Sequence, residues 1–280
     1  LIAVLSRKYQ LLCRNMIRKI ISENTNLTWF EVLDVVKKVT ENVYLIEHEE
    51  AANNVIIIGK KGVVLIDTSL FPEKAKSIAK FVRDFTMKNI SLVFNTHYHP
   101  DHTFGNVAFD VPILAHELTR RKMEQFDASY FESLGIEYTE PKLPDVLFQD
   151  LFEYEDGLKI LFIHGPGHTP DSSYVYIPSE SVLITGDSVI NDIHPEIVSD
   201  SNLNVWLKTL DSMPQAKYVI PGHGDYGSHD SVKKMRDYID KIRRLINGEL
   251  SPYELESDPN FVERKHAEML EWGIKNLMAE

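Results

Sequence analysis

The chain has 280 residues, of which 43% are hydrophobic and 26% are charged. These proportions are typical of a globular protein with a large core, and they exclude disordered, collagen-like and coiled-coil classes. The formal net charge is −12, and because a negative surface repels phosphate backbones, we expect no nucleic-acid partner. There is one cysteine, Cys13, and there are 11 histidines. Any metal site must therefore be built from histidine and carboxylate ligands.

Residues 1–30 are predicted to form a basic helical extension. Apolar residues recur at helical spacing, and five basic residues precede the first acidic one: Arg7, Lys8, Arg14, Arg18 and Lys19. Such a helix suits a membrane surface or a targeting role, but packing on the main body, or an upstream extension ahead of Met16, explains the same pattern. No apolar run reaches the ~18 residues that span a bilayer. We therefore expect no transmembrane segment and a cytoplasmic location.

Residues 31–229 alternate between strand and helix patterns, and we interpret them as one catalytic domain. A helix begins near Pro72, a favourable residue for a first turn. Residues 116–156 begin as a helix and continue through aromatic and proline-rich sequence, which predicts an inserted helical or loop element. Strands are predicted at 43–46, 55–58, 63–67, 91–94, 158–163, 173–177, 181–184 and 217–220.

The chain closes with two predicted helices, at 230–246 and 259–278. Their apolar faces are explained by packing on the same domain, and a homodimer interface is the alternative. Strands fall into two groups, each followed by helices. This pattern favours two packed sheets with helices on the outside.

The strongest functional signal is the run NTHYHPDH at residues 95–102, which follows a buried strand. In an extended backbone His97 and His99 point to the same side. Pro100 then forces a turn that brings Asp101 and the histidine after it onto an adjacent face. This arrangement suits two metal ions rather than one.

Three further strand ends place a ligand-type residue beside glycine. They are Gly167-His168, Thr185-Gly186-Asp187 and Gly222-His223. Glycine lets the backbone turn tightly and approach a metal closely. Each motif alone is weak, but strand ends of one sheet can converge on one edge. Together the four motifs predict a shared metal site.

These motifs resemble those of the metallo-β-lactamase superfamily. Their order and spacing match over about residues 40–225, including the upstream segment Leu65-Ile66-Asp67-Thr68. The resemblance implies an α+β fold, a four-layer αββα sandwich with the site at one edge. It is specific for the fold and the metal chemistry, and it does not specify the substrate.

The resemblance also implies a role for each matched residue. The ligands of the first metal would be His97, His99 and His168. The ligands of the second metal would be Asp101, His102 and His223. Asp187 would bridge the two metals, and Asp67 would orient the site histidines from behind them. Zinc suits this ligand set, so we expect two zinc ions per chain, with iron or manganese as alternatives.

The expected activity is hydrolysis, in which a metal-activated hydroxide attacks a small carbonyl substrate. Asp187 would orient this nucleophile and Asp101 would accept its proton. A lactone, ester or thioester is favoured. A β-lactam is less favoured, because many β-lactamases of this fold have lysine where Ile190 stands. The homoserine-lactone lactonases of the fold typically have tyrosine at this position, so the match to them is incomplete too. The alternatives are an iron-dependent oxidoreductase such as a persulfide dioxygenase, a phosphodiesterase, or a metal-binding protein without turnover.

Three residues are candidates for the pocket of this small-molecule substrate. They are His194, Phe104 and Tyr226, although core packing is the alternative for the two aromatic residues. Other histidines have no supporting motif. We interpret His116 as a helix-start or surface residue and His48 as a surface residue.

Overall fold

The computed structural model describes residues 35–48 and 51–278, so the predicted extension over 1–30 lies outside the described residues. Within these ranges the strands form two sheets. The first sheet runs in chain order through β1 (Val35–Lys38), β2 (Val43–Glu47), β3 (Asn54–Ile58), β4 (Val63–Ile66), β5 (Ile90–Asn95), β6 (Ile113–His116) and β7 (Val146–Phe148). The second sheet contains β8 (Leu151–Glu155), β9 (Lys159–His164), β10 (Ser173–Ile177), β11 (Val182–Ile184) and β12 (Tyr218–Ile220), with β12 and β8 at its edges.

The helices follow the strands in both halves. They are α1 (Pro72–Thr86), α2 (Pro100–Thr103), α3 (Glu117–Met123), α4 (Ala128–Leu134), α5 (Leu203–Ser212), α6 (Asp230–Ile246), α7 (Pro252–Leu255), α8 (Pro259–Val262) and α9 (Ala267–Met278). Short 3₁₀ helices cover Phe104–Ala108 and Gly186–Ser188. Strands β4 to β7 pair in parallel, as do β11 and β12, and the remaining neighbours are antiparallel.

Hydrophobic burial stacks these elements in four layers. The two sheets face each other across a core in which the rings of Phe94 and Phe162 lie 4.5 Å apart. Helix α1 covers the outer face of the first sheet with Ile78 and Val82. Helices α5 and α6 cover the outer face of the second sheet, where Trp206 is fully buried. Burial of each such side chain contributes about 1.5–3 kcal/mol. The αββα sandwich is therefore confirmed.

Strand positions explain where the sequence reading fails. The predicted insertion at 116–156 does contain α3 and α4, but it also contains β7 and β8, which belong one to each sheet. Strand β8 is an edge strand whose residues are exposed or half-buried, so it lacks the apolar run that marks a buried strand. The segment with α3 and α4 lies between β6 and β7 of the first sheet, so it is shorter than the predicted insertion. The domain boundaries themselves stay predictions.

The single helix predicted at 259–278 is wrong in one respect. Helix α8 ends at Val262 and α9 begins at Ala267. Between them His266 has a φ of 62°, a left-handed conformation that no α-helix continues through. Lys265 instead forms a bridge with Ile193. No helix of residues 35–48 or 51–278 is long and apolar enough to cross a membrane.

Candidate metal centre

The predicted ligands meet at one edge of the sandwich because of how the strands end. Strand β5 leads directly into His97. His99 is the residue that precedes α2, and Pro100 occupies the first turn, where its missing N–H leaves no bond unmade. The short helix α2 contains Asp101 and His102, so both lie at the same edge of the sandwich as His97 and His99. The other ligands follow β9, β11 and β12.

Two groups of ligand-type side chains result. The first is formed by His97, His99, His168 and Asp187, and the second by Asp101, His102 and His223. In each group the ligand atoms lie within 4.8 Å of one another. All seven residues predicted as metal ligands are therefore brought together.

Asp187 joins the two groups. Its Oδ2 lies 3.7 Å from His168 Nε2 and 3.5 Å from His223 Nε2, which belong to different groups. Its Oδ1 lies 3.2 Å from His102 Nε2. One carboxylate is thus within reach of both clusters, as expected for a bridging ligand.

The donor atoms fit divalent cations. Buried polar atoms nearly always have a hydrogen-bond partner, yet His97 Nε2, His102 Nε2 and Asp187 Oδ1 are buried and make no hydrogen bond in the described residues. These atoms all point into the centre. Imidazole nitrogen and carboxylate oxygen are ligands that zinc, iron and manganese accept, so the residues present fit a metal-binding role.

Burial keeps the first group's histidines neutral. It lowers the pKa of His99 to about 4 and that of His168 to about 3, and neighbouring imidazoles add to the effect. The pKa of His97 is also well below its ordinary value, for the same reasons. Neutral imidazole has a free lone pair, which is the form that binds a metal.

The second group has the opposite electrostatic balance. Burial alone would lower the pKa of His223, but the carboxylates of Asp187 and Asp101 outweigh it and raise this pKa to about 10. Burial likewise opposes ionisation of Asp101, but His102 and His223 lower its pKa to about 2. The carboxylates are therefore ionised. A metal binding here replaces protons on the two histidines.

Asp67 supports His102 from the side away from the centre. Its Oδ2 lies 2.8 Å from His102 Nδ1, and it accepts hydrogen bonds from the backbone N–H of Thr96 at 2.8 Å and the Thr96 hydroxyl at 2.9 Å. Such a carboxylate fixes the orientation of the ring, so that Nε2 points at the centre. This geometry is consistent with the orienting role of Asp67, which stays a prediction.

Glycine permits one close approach at the centre. A Cβ atom at Gly222 would lie 1.9 Å from Asp187 Oδ1. Any side chain there would displace the carboxylate that joins the two groups. This explains why the motif on β12 places glycine directly before His223.

The predicted pocket residues lie in three different places. His194 is buried, and its Nδ1 lies 2.8 Å from the hydroxyl oxygen of Tyr238 on α6. Tyr226 packs at the margin of the core between the sheets. Phe104 stacks on Phe131 with ring centres 4.5 Å apart. A substrate-pocket role for these three residues stays a prediction.

Phe104 does line a cavity. The cavity has a volume of about 350 Å³ and is bounded mainly by apolar side chains, among them Leu70, Phe71, Val107 and Phe131. This volume is within the usual range for small-molecule sites. Phe104 belongs to the same apolar cluster as Tyr98, whose ring lies 4.8 Å from that of His99. The apolar cluster that contains Phe104 therefore extends through Tyr98 toward the metal centre.

The sequence predictions for His116 and His48 have opposite outcomes. His116 caps the start of α3 by accepting a hydrogen bond from the backbone N–H of Leu118, so its helix-start role is confirmed. The surface assignment of His48 is wrong, because this residue is 2% exposed and bonds to Asn54. Asn54 in turn donates to the carbonyl of Asp67.

Sequence reasoning missed Glu196 and Asp171. A carboxylate oxygen of Glu196 lies 3.6 Å from His99 Nδ1, yet the residue sits in an irregular segment that carries no motif. Asp171 is fully buried and accepts a hydrogen bond from Thr119 at 2.8 Å. Its position three residues after His168 was the available signal.

Comparison with known proteins agrees with this geometry. The family model described as metallo-beta-lactamase superfamily matches residues 40–223. A metallo-beta-lactamase type 2 from Bacteroides fragilis is 25% identical over 201 residues, which cover 68% of this chain and 76% of that protein. A linear primary-alkylsulfatase from Pseudomonas is 25% identical over 254 residues, covering 71% of this chain and 48% of that protein.

A solved structure shows the same fold. The metallo-beta-lactamase from Pontibacter korlensis superposes with a TM-score of 0.61 at 23% identity, over 74% of this chain and 98% of that one. Together with the histidine and aspartate groups, these similarities support a metal-dependent hydrolase. With two sheets, the ligand motifs in order and a family match over most of the chain, this protein belongs to the metallo-beta-lactamase superfamily.

Proposed function

We propose that the protein is a binuclear, zinc-dependent hydrolase of small carbonyl compounds. The observation that carries the proposal is the pair of ligand groups with Asp187 in reach of both. When bound there, divalent cations supply Lewis acidity and lower the pKa of water, so that a nucleophile is available at neutral pH. The first group would hold one cation and the second group the other.

The chain's own residues would then orient the nucleophile and accept its proton. Asp187 is buried and ionised between the groups, so it would be a ligand available to both cations. Asp101 is more exposed than Asp187, and its Oδ2 lies 3.4 Å from His223 Nε2. An ionised carboxylate at the open side of the centre is placed to take a proton from water and then pass that proton to the leaving group.

The surroundings favour an uncharged substrate such as a lactone, ester or thioester. Ile190 is 1% exposed and packs in the outer core, so its side chain cannot hold a substrate carboxylate. The cavity beside Phe104 is apolar, which suits an acyl chain. A β-lactam is less favoured for the same reasons. Because one relative is named a β-lactamase and another an alkylsulfatase, both substrate classes belong in the test.

The decisive experiment is a substrate panel on metal-replete and chelator-treated protein. It includes a lactone, an ester, a thioester, a phosphodiester, an alkyl sulfate and nitrocefin, and it is paired with metal analysis. We expect about two zinc ions per chain and turnover of a carbonyl substrate that chelation abolishes. One iron ion with oxygen consumption would instead identify an oxidoreductase. A protein that binds no metal would refute the proposal.

Two further expectations are independent of this test. The cytoplasmic location and the homodimer stay predictions. Fractionation of the native source and the molar mass in solution are the measurements that check them.

A further inference from the structure

Arg264 is a half-buried cation just beyond α8, outside the residues matched by the family model. Its Nη1 donates hydrogen bonds to the carbonyl of Ile190 at 2.9 Å and to that of Ile193 at 2.6 Å. Its Nε donates to the carbonyl of Asn260 at 2.9 Å. Because a guanidinium group donates in fixed directions within one plane, these bonds fix the segment 190–193 against the C-terminal helices.

This segment connects two of the metal-ligand residues. Asp187 lies three residues before Ile190, in the 3₁₀ helix that precedes it. The backbone N–H of Asn191 donates to the carbonyl of His223 at 3.0 Å. The side chain of Asn191 also donates to the carbonyl of Asp225 at 2.7 Å. A shift of residues 190–191 would therefore move Asp187 and His223 together.

Further bonds tie the same segment to the C-terminal helices. The backbone N–H of Lys265 donates to the carbonyl of Asp192 at 2.8 Å, and the backbone N–H of His194 donates to the carbonyl of Lys265 at 3.0 Å. The bond between His194 and Tyr238 adds a contact to α6, and the Arg264 guanidinium lies over the Tyr238 ring, 5.0 Å from its centre. Together these contacts hold residues 190–194 and Arg264 in fixed positions against the C-terminal helices.

We propose that Arg264 is a positioning residue for the metal centre, acting through the backbone of residues 190–193 on Asp187 and His223. The inference rests on the proposed binuclear site. It assigns the C-terminal helices a part in metal binding, although they contribute no ligand to either group. The ordinary alternative is that Arg264 stabilises the fold alone.

The test measures metal binding rather than turnover. Metal-free full-length protein is titrated with Co²⁺ in the presence of a competing chelator, and the visible absorption spectrum of the bound ion is recorded. The variants are Arg264→Met and Arg264→Lys. The matched control is Phe261→Leu, which disturbs the same helical cluster through the ring that stacks on Tyr238, at 4.1 Å between centres, and removes none of these hydrogen bonds.

In wild type we expect two equivalents of Co²⁺. In Arg264→Met we expect the affinity of one equivalent to fall by about 10–100-fold, as is usual when a residue that orients ligands is lost, with an altered spectrum. Arg264→Lys, which keeps a donor, should recover part of this loss. Phe261→Leu should lower the Tm and keep both affinities and the spectrum.

Two results would overturn the inference. One is an Arg264→Met protein with wild-type affinities and spectrum. The other is an equal loss of affinity in Phe261→Leu, which would reduce the role of Arg264 to general stability. A wild-type protein that takes fewer than two equivalents refutes the binuclear site itself, and with it the role of Arg264, so the two failures are told apart by the wild-type titration.

Discussion

Asp171→Asn is expected to stabilise the protein above pH 6 and to have a smaller effect at acidic pH. Asp171 is fully buried, and burial raises the pKa of its carboxyl to about 6. Its Oδ2 accepts a hydrogen bond from Thr119, whereas its Oδ1 is buried without a hydrogen-bond partner in the described residues. The negative charge of Asp200 raises the same pKa further. The folded state therefore binds the Asp171 proton more tightly than the unfolded chain does.

The sign and size of the effect follow from this difference. Below the unfolded pKa of 3.8 the carboxyl is protonated in both states, so it costs nothing. As the pH rises from 3.8 to about 6, the carboxyl ionises in the unfolded chain while it stays protonated in the folded state, so the free energy of unfolding falls. Above that range the cost is constant, and a shift of about two pKa units corresponds to about 3 kcal/mol. An asparagine has the same shape without the charge, so it removes this cost.

The assay is urea unfolding of metal-free wild type and Asp171→Asn at about pH 4.5 and about pH 8. The variant's advantage in the free energy of unfolding should grow by about 2 kcal/mol between the two conditions. Asp150→Asn is the matched control, because Asp150 is exposed and its replacement should give the same difference at both values. An advantage that is equal at both pH values, or that shrinks as the pH rises, would refute the reasoning.

Three further predictions concern the metal centre and the cavity. His99→Ala and Asp187→Ala should each abolish turnover of the substrate found, whereas His229→Ala should not, and full activity in either ligand variant would contradict the site. Asp67→Asn should weaken zinc binding by about 10–100-fold, because it loses an acceptor that orients His102, and chelator competition measures this. In wild type, kcat/KM should rise with acyl chain length by up to about fourfold per buried methylene. Val107→Trp should abolish this rise, and a wild type indifferent to chain length would refute the cavity's role.

The sequence alone was sufficient to predict which residues the structure brings together as candidate ligands, because their signal is local. His97, His99 and Asp101 follow a buried strand at spacings that fix the relative directions of their side chains. Gly222, directly before His223, indicates a position where the backbone approaches the metal site closely. The grouping of the predicted strands, with helices after each group, was enough to predict two packed sheets. The single cysteine excludes a metal site built from several thiolates, and the negative net charge led us to expect no nucleic-acid partner, which stays a prediction.

Other features depend on how one segment of the chain contacts another. Edge strand β8 has no continuous apolar run, because half-buried Phe152 and Tyr154 alternate with exposed residues, and its place in the second sheet is set by its pairing with β9. The burial of His48 follows from its bond to Asn54, and the break before α9 from the pairing of Lys265 with Ile193. The local sequence alone does not determine the placement of β8, the burial of His48 or the break before α9.

The metal centre itself divides along the same line. Which side chains could bind a metal was determined by the sequence, since residue type and strand-end position are local properties. That Asp187 reaches both groups, and that Arg264 fixes the backbone between Asp187 and His223, was decided only by the tertiary structure. The physical reason is that these arrangements join residues from 19 positions apart (His168 and Asp187) to 90 positions apart (His97 and Asp187). Their distance in space is set by how the two sheets and the outer helices pack, and by no pattern within any one segment.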